Sequence, residues 1–153
     1  MLKLLPRAPA RPTAETTGVN LSESTSLDEA RQFLIEHVAT YDELEVLLCL
    51  LRRRDEELQP SCLASDLGIP EPVCLLAVEK LFAHRLAGRS ADGKAFRFSP
   101  ATDTLAHGVL ALDRAYHLSP VSVIRSMSEN AMQRLRSSAA RAFPDLPQAR
   151  KPR

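Results

Sequence analysis

Apolar residues recur at helical spacing through the middle of the chain. Leu44, Leu47, Leu48 and Leu51 follow the i, i+3, i+4, i+7 rule of a buried helix face. Thr40 with Glu43 supplies a capping box for that helix, predicted from Tyr41 to about Arg54. Arg52-Arg53-Arg54 in its last turn suits the negative end of the helix dipole. Upstream, Phe33, Leu34 and Val38 make a stripe on a shorter helix, Leu27 to about Val38, which Ser26 and Glu29 are placed to cap. Pro60-Ser61 opens a short helix to about Leu67, with Leu63, Ala64 and Leu67 inward and Gly68 as its left-handed stop. Pro70 and Pro72 suit the first turn of the next helix, whose early amides need no partner. It is predicted to end near Arg85 or Leu86.

After that helix the period changes. Asp92-Gly93 is a turn signal, and Ala95-Phe96-Arg97-Phe98 alternates, so a hairpin over about 87–98 follows. Ser99-Pro100 ends it. A helix from about Thr102 to His117 turns Leu105, Val109, Leu112 and Tyr116 or Ala115 inward. Ser119-Pro120 interrupts it. Val121 to about Phe143 is predicted as helix in two pieces hinged at Ser126–Ser128, with Val121, Ile124, Met127, Met132, Leu135, Ala139 and Phe143 as a buried or dimerising stripe. The ends lack such periodicity. Pro6, Pro9 and Pro12 mark residues 1–26 as a disordered arm, and 144–153 reads as a disordered basic tail.

Helix, short helix, tight turn, longer helix, Asp-Gly hairpin, helix is the order of a winged helix-turn-helix domain. The expected fold is mainly α, a three-helix core with a two-stranded β-hairpin wing, extended by helices at both ends. The domain spans 27–100, and 101–143 forms a helical extension for packing or dimerisation. Leu63-Ala64-Ser65-Asp66-Leu67-Gly68-Ile69-Pro70 matches the turn of such a domain, and Leu81, Leu86 and Phe96 fall where it places core residues. Phe33 to Leu51, the segment Val121-Ser122-Val123-Ile124 and the polar helix Ala131 to Phe143 resemble a group of uncharacterised bacterial winged-helix proteins. That resemblance implies a regulator-like protein and supplies neither operator nor ligand.

Charge complicates the DNA-binding expectation. The 153 residues carry 20 Lys+Arg and 19 Asp+Glu, a formal net charge of +1. Residues 40–100 are net −2, whereas 101–153 are net +4, with Arg125, Arg134, Arg136 and Arg141 along the last helix. DNA affinity comes largely from neutralised phosphates, so the reading domain is poorly charged for it. The first turns of the longer helix, Glu71-Pro72-Val73-Cys74-Leu75-Leu76, hold no Arg, Lys, Asn or Gln for a base edge. Two readings stand. In one, a dimeric transcription regulator contacts double-stranded DNA through Lys80, His84, Arg89, Lys94 and Arg97. In the other, Leu75, Leu76 and Phe82 seat a protein partner, because a helix apolar nearly all round is normally covered.

Other chemistry finds no motif. Cys49, Cys62 and Cys74 form no Cys-x-x-Cys pair and read as small apolar residues. His37, His84, His107 and His117 lie far apart, without metal-ligand spacing. The five glycines form no phosphate loop, and no nucleophile elbow occurs, so neither enzyme activity nor a cofactor is expected. Aromatic residues are only 5% and Trp is absent, which disfavours a stacking platform for single strands. The longest apolar run, Val46 to Leu51, is far short of a membrane span, so a cytoplasmic protein is expected.

Overall fold

The computed structural model describes residues 16–144, with side chains from Thr25 onward. Eight elements follow one another: α1 (Thr16–His37), α2 (Tyr41–Arg52), α3 (Pro60–Leu67), α4 (Glu71–Ala83), β1 (Ala87–Arg89), β2 (Phe96–Phe98), α5 (Asp103–Leu118) and α6 (Pro120–Ala142). The order from α2 to β2 is that of a winged helix-turn-helix domain, flanked by helices, as the sequence predicts.

Local signals set most boundaries. Thr40 caps α2, its Oγ1 accepting the Glu43 N–H at 3.2 Å. Gly68 stops α3 at φ +67°, and the Ile69 N–H closes back on the Ala64 carbonyl at 3.1 Å. The chain resumes as α4 at 114° to α3, the angle of a helix-turn-helix. α4 ends on the same kind of bond, Leu86 N–H to the Leu81 carbonyl at 2.9 Å. There the left-handed position falls to Arg85 at φ +62°, a conformation that costs an L-residue about 1 kcal/mol or more. β1 and β2 pair antiparallel, Ala87 with Phe98 and Arg89 with Phe96. Leu58 adds an isolated bridge to Phe96, so the α2–α3 connection also joins the wing.

α2 is the centre of the core. Beyond the predicted Leu44, Leu47, Leu48 and Leu51, it also buries Val46, Cys49 and Leu50. It is covered on one side by α3, α4 and β2, while Glu45 accepts the Tyr116 hydroxyl of α5 at 3.0 Å on the other. α1 crosses α5, with Ala30, Phe33 and Leu34 against Val109 and Leu112 in one core. The crossing is close because α5 has a glycine there. A Cβ on Gly108 would collide with the Phe33 ring.

Several expectations need correction. The arm expected over 1–26 lies outside the described residues as far as 15. From Thr16 the chain is already in α1, so Ser26 sits inside a helix instead of capping one. No proline follows Pro12 before that start, which leaves the helix free to extend. The tail from 145 also lies outside the described residues. α6 runs unbroken through the expected hinge. Ser126 and Ser128 turn their hydroxyls back onto the carbonyls of Ser122 and Ile124, at 2.9 and 3.1 Å, and so fit within the helix. Its buried face is Val123, Ser126 and Met127, whereas Val121, Ile124, Met132, Leu135 and Phe143 are exposed. Cys62 is exposed, unlike Cys49 and Cys74. Burial pushes the Cys74 thiol up to about 11, as an inert interior thiol requires.

Gly108→Ala should lower stability by roughly 1–3 kcal/mol, since Phe33 must leave its position or α1 must lift. A thermal melt checks this. A Phe33→Leu background should recover part of the loss.

Candidate nucleic-acid interface

In this architecture α4 would meet the major groove and the hairpin would meet backbone or minor groove. At 100° per residue, Cys74, Ala77, Val78 and Leu81 share one face of α4, and all four are buried. The opposite pole carries Pro72, Leu76, Glu79 and Ala83, all exposed. No side chain of that pole except the acidic Glu79 offers a polar group to a base edge. Leu75 and Phe82 share the flank beside the wing, and Leu76, 56% exposed, stands apart at the outward pole. The three apolar residues of the partner reading are thus exposed but divided between two faces.

The structure separates the five predicted cationic contacts into three groups. Lys80 turns back towards the core. Its Nζ lies 3.1 Å from Oε1 of Glu43, a carboxylate only 2% exposed, at an ion-pair distance outside hydrogen-bond angles. The other oxygen, Oε2, accepts the Ala39 N–H at 2.7 Å. Lys80 is therefore committed to a buried acid and is not a free phosphate ligand. His84 caps the end of α4 and meets His37 edge-on, with ring centroids 5.7 Å apart. Sequence spacing gave no sign of that pairing, because 47 positions separate the two histidines.

Arg89 is the second kind. Its guanidinium lies 4.8 Å from the centroid of Phe82 and 5.1 Å from that of Phe96, with Glu79 at 4.0 Å. It clamps the wing to α4 through two aromatic faces. Lys94 and Arg97 are the third kind. Both are exposed, and neither pairs with a carboxylate among the described residues.

The wing turn that carries Lys94 is ordered from within. Gly93, at φ +73°, donates to the Ser90 carbonyl at 2.9 Å, and the loop spans Ala91 to Lys94 with the expected Asp92-Gly93 at its centre. Asp92 accepts from the Ser90 hydroxyl and from the Lys94 N–H, bonds that hold its carboxyl below the usual range. Between α4, the start of α3 and the wing lies a cavity of about 370 Å³. Glu71 and Glu79 line it opposite Arg89 and Lys94, around Leu75 and Phe96, so its charge is mixed. Arg53 ties the helix-turn-helix to α2 by bonding Glu56 and Asp66. Among the described residues no group of three or more His, Cys, Asp or Glu side chains stands in metal-binding geometry, and no single helix is long and apolar enough to cross a membrane.

No protein-family model matches the sequence, and no curated protein matches it. Solved structures resemble the chain at low identity. MepR, a transcription regulator of the Staphylococcus aureus multidrug efflux pump MepA, is 15% identical with a TM-score of 0.45, over 86% of this chain and 98% of its own. CouR from Rhodococcus jostii RHA1, solved with p-coumaroyl-CoA, is 15% identical with a TM-score of 0.42, over 85% and 92%. The transcriptional regulator Tm0710 from Thermotoga maritima is 14% identical with a TM-score of 0.42, over 85% and 95%. Similarity this low leaves the winged-helix assignment resting on the element order and the helix-turn-helix geometry above.

Lys80→Ala should destabilise the fold by about 1–3 kcal/mol, because it leaves Glu43 buried without its counter-charge; the half-exposed lysine keeps the loss below that of a fully buried pair. Adding Glu43→Gln should restore part of it. Urea unfolding of both variants measures the two effects.

Proposed function

We propose that this chain is a bacterial winged-helix transcription regulator that binds double-stranded DNA as a dimer, gripping backbone and minor groove with its wing. The observation that supports this reading is the pair of unpaired cations, Lys94 and Arg97, on an internally ordered hairpin. Lys80 and His84 drop out of the proposed contact set, since each has a partner inside the fold. Arg89 acts by holding the wing against α4. Residues 27–100 are then the DNA-facing domain and 101–143 the dimerising extension.

The dimer reading rests on α6. From Ala131 to Pro144 every side chain is exposed. Val121, Ile124, Met132, Leu135 and Phe143 lie along one side, over about 33 Å at 1.5 Å per residue. The wholly exposed stretch of α6, from Ala131 to Ala142, is short enough to be marginal in water unless its apolar face is covered. A second copy would cover it and would give the two-fold symmetry that palindromic sites match. A second reading, a protein-docking module without DNA affinity, draws on the exposed Leu76 at the pole of α4 and on Leu75 and Phe82 along its wing-side flank.

Titration against genomic DNA fragments at two salt concentrations separates the readings. Under the first, shifts persist at physiological salt, Lys94→Glu/Arg97→Glu abolishes them, and Lys80→Met leaves the affinity of the folded protein within about twofold. Equal, salt-labile binding to every fragment removes specific recognition, and absence of binding leaves only the docking module. Light scattering of the eluting protein tests the dimer: Leu135→Glu should yield a monomer that still unfolds cooperatively and loses at most the helical circular dichroism of the outer turns of α6.

A further inference from the structure

The ends of α1 and α4 meet at a histidine pair. The His37 ring lies 4.8 Å from Phe33 and meets His84 at an interplanar angle of 84°. Its Nδ1 is buried with no hydrogen-bond partner among the described residues. Its Nε2 lies 3.6 Å from the Glu36 carboxylate. On the other side, His84 is followed by the left-handed Arg85. The Arg85 carbonyl accepts the Ala101 N–H at 2.9 Å, and the Leu86 carbonyl accepts the Ser99 N–H at 3.1 Å. The short segment 84–86 therefore joins α4, the wing and the approach to α5. The last residue of α1 leans on that joint.

We propose that His37 and His84 form an acid-sensitive latch: neutral, the pair holds the end of α1 against the α4–wing joint, and protonated, it lets go. A proton on each ring would set two positive charges about 6 Å apart, one of them on a largely sheltered ring. Few groups oppose that repulsion. From α1, Glu36 approaches only Nε2 and is half-exposed, while Glu29 lines the adjoining cavity. From α4 the facing groups are His84 and, one turn earlier, Lys80, whose charge is already matched by Glu43. From α5 the cavity receives the uncharged Thr104, Leu105 and Gly108, and the His107 imidazole. Among the described residues no carboxylate bonds Nδ1.

Burial first, and the neighbouring His84 second, hold the His37 imidazole below its ordinary range, against a smaller opposing pull from Glu36. The sign of the coupling follows. A group that binds its proton less readily in the closed form favours opening as acid is added. Closure is at full strength above about pH 7 and weakens as pH falls through about 6.5. It levels off once the pH is below the closed-form value. The output is mechanical: acid loosens the end of α1 from the α4–wing joint, while the buried leucine face of α2 stays packed.

Amide hydrogen exchange on the full chain at pH 7.5 and 5.5, corrected for intrinsic rates, tests the latch beside an NMR titration of the histidine ring protons. Peptides over 33–39 and 82–90 should open about fivefold more at pH 5.5 if His37 titrates about one unit below its reference value, and at most about tenfold more if it titrates lower still. Peptides over 44–51 should not change. His84→Gln should raise the His37 midpoint and shrink the acid response, and His37→Phe should abolish it. If His37→Phe fails to fold, the wild-type titration and His84→Gln decide alone. The proposal is overturned if His37 titrates at or above its ordinary value, if exchange is the same at both pH values, or if His84→Gln leaves the response unchanged.

Discussion

One buried carboxylate fixes how the parts of this domain sit together. Glu43 is 2% exposed, and burying an ionised group without partners would cost several kcal/mol. Its partners come from two directions. The Ala39 N–H belongs to the link between α1 and α2, and the Lys80 ammonium belongs to α4. The same residue's backbone N–H is the one that Thr40 caps. The start of α2, the end of α1 and the middle of α4 therefore share one electrostatic node. Moving α4 outward would strand the charge, so its position relative to α2 is set by more than apolar packing.

That constraint has a functional consequence. A winged helix that reads bases offers polar and cationic side chains from its second helix. Here the single lysine of α4 is turned inward to neutralise Glu43, and the outward pole is left with Pro72, Leu76, Glu79 and Ala83. What the fold gains in a fixed α2–α4 angle, the α4 surface loses in charge. Arg89 repeats the pattern on the wing. Its guanidinium is occupied by Phe82, Phe96 and Glu79, which stiffens the hairpin and removes one cation from its surface.

Features that depend on near neighbours were legible in the sequence. Thr40, Gly68, Asp92-Gly93 and Ser119-Pro120 each mark a boundary through the chain's own backbone, and the structure places a boundary or turn at every one. The leucine spacing of α2 located the core, although it understated its extent, because a helix covered on two sides buries more than one stripe. Ser126 and Ser128 misled for a local reason: serines favour breaks, but a hydroxyl that bonds the carbonyl four residues back stays helical. Partners distant in sequence were not legible. Glu43 appeared as half of a capping box, yet its carboxylate reaches Ala39 and Lys80. Lys80 and His84 looked like free surface groups for the same reason: periodicity assigns a face and not the charge waiting opposite it.

Under the proposed function, residues 40–100, net −2, would have to hold a polyanion. Two unpaired cations per wing, Lys94 and Arg97, neutralise too few phosphates for one copy to bind well at physiological salt. Two copies joined through α6 would present four. Four phosphate contacts correspond to a slope of about −3.6 in log affinity against log salt, whereas a single wing gives about −1.8. The basic residues of α6 do not simply add to this total. Arg134 already donates to the Ile35 carbonyl at 3.2 Å, and the helix carries the exposed apolar stripe that a second copy would cover. The salt slope of the intact protein therefore distinguishes the geometries. About −3.6 fits paired wings alone, and a value well beyond it requires further cations on the DNA, the arginines of α6 among them. A value near −1.8 means that only one wing engages.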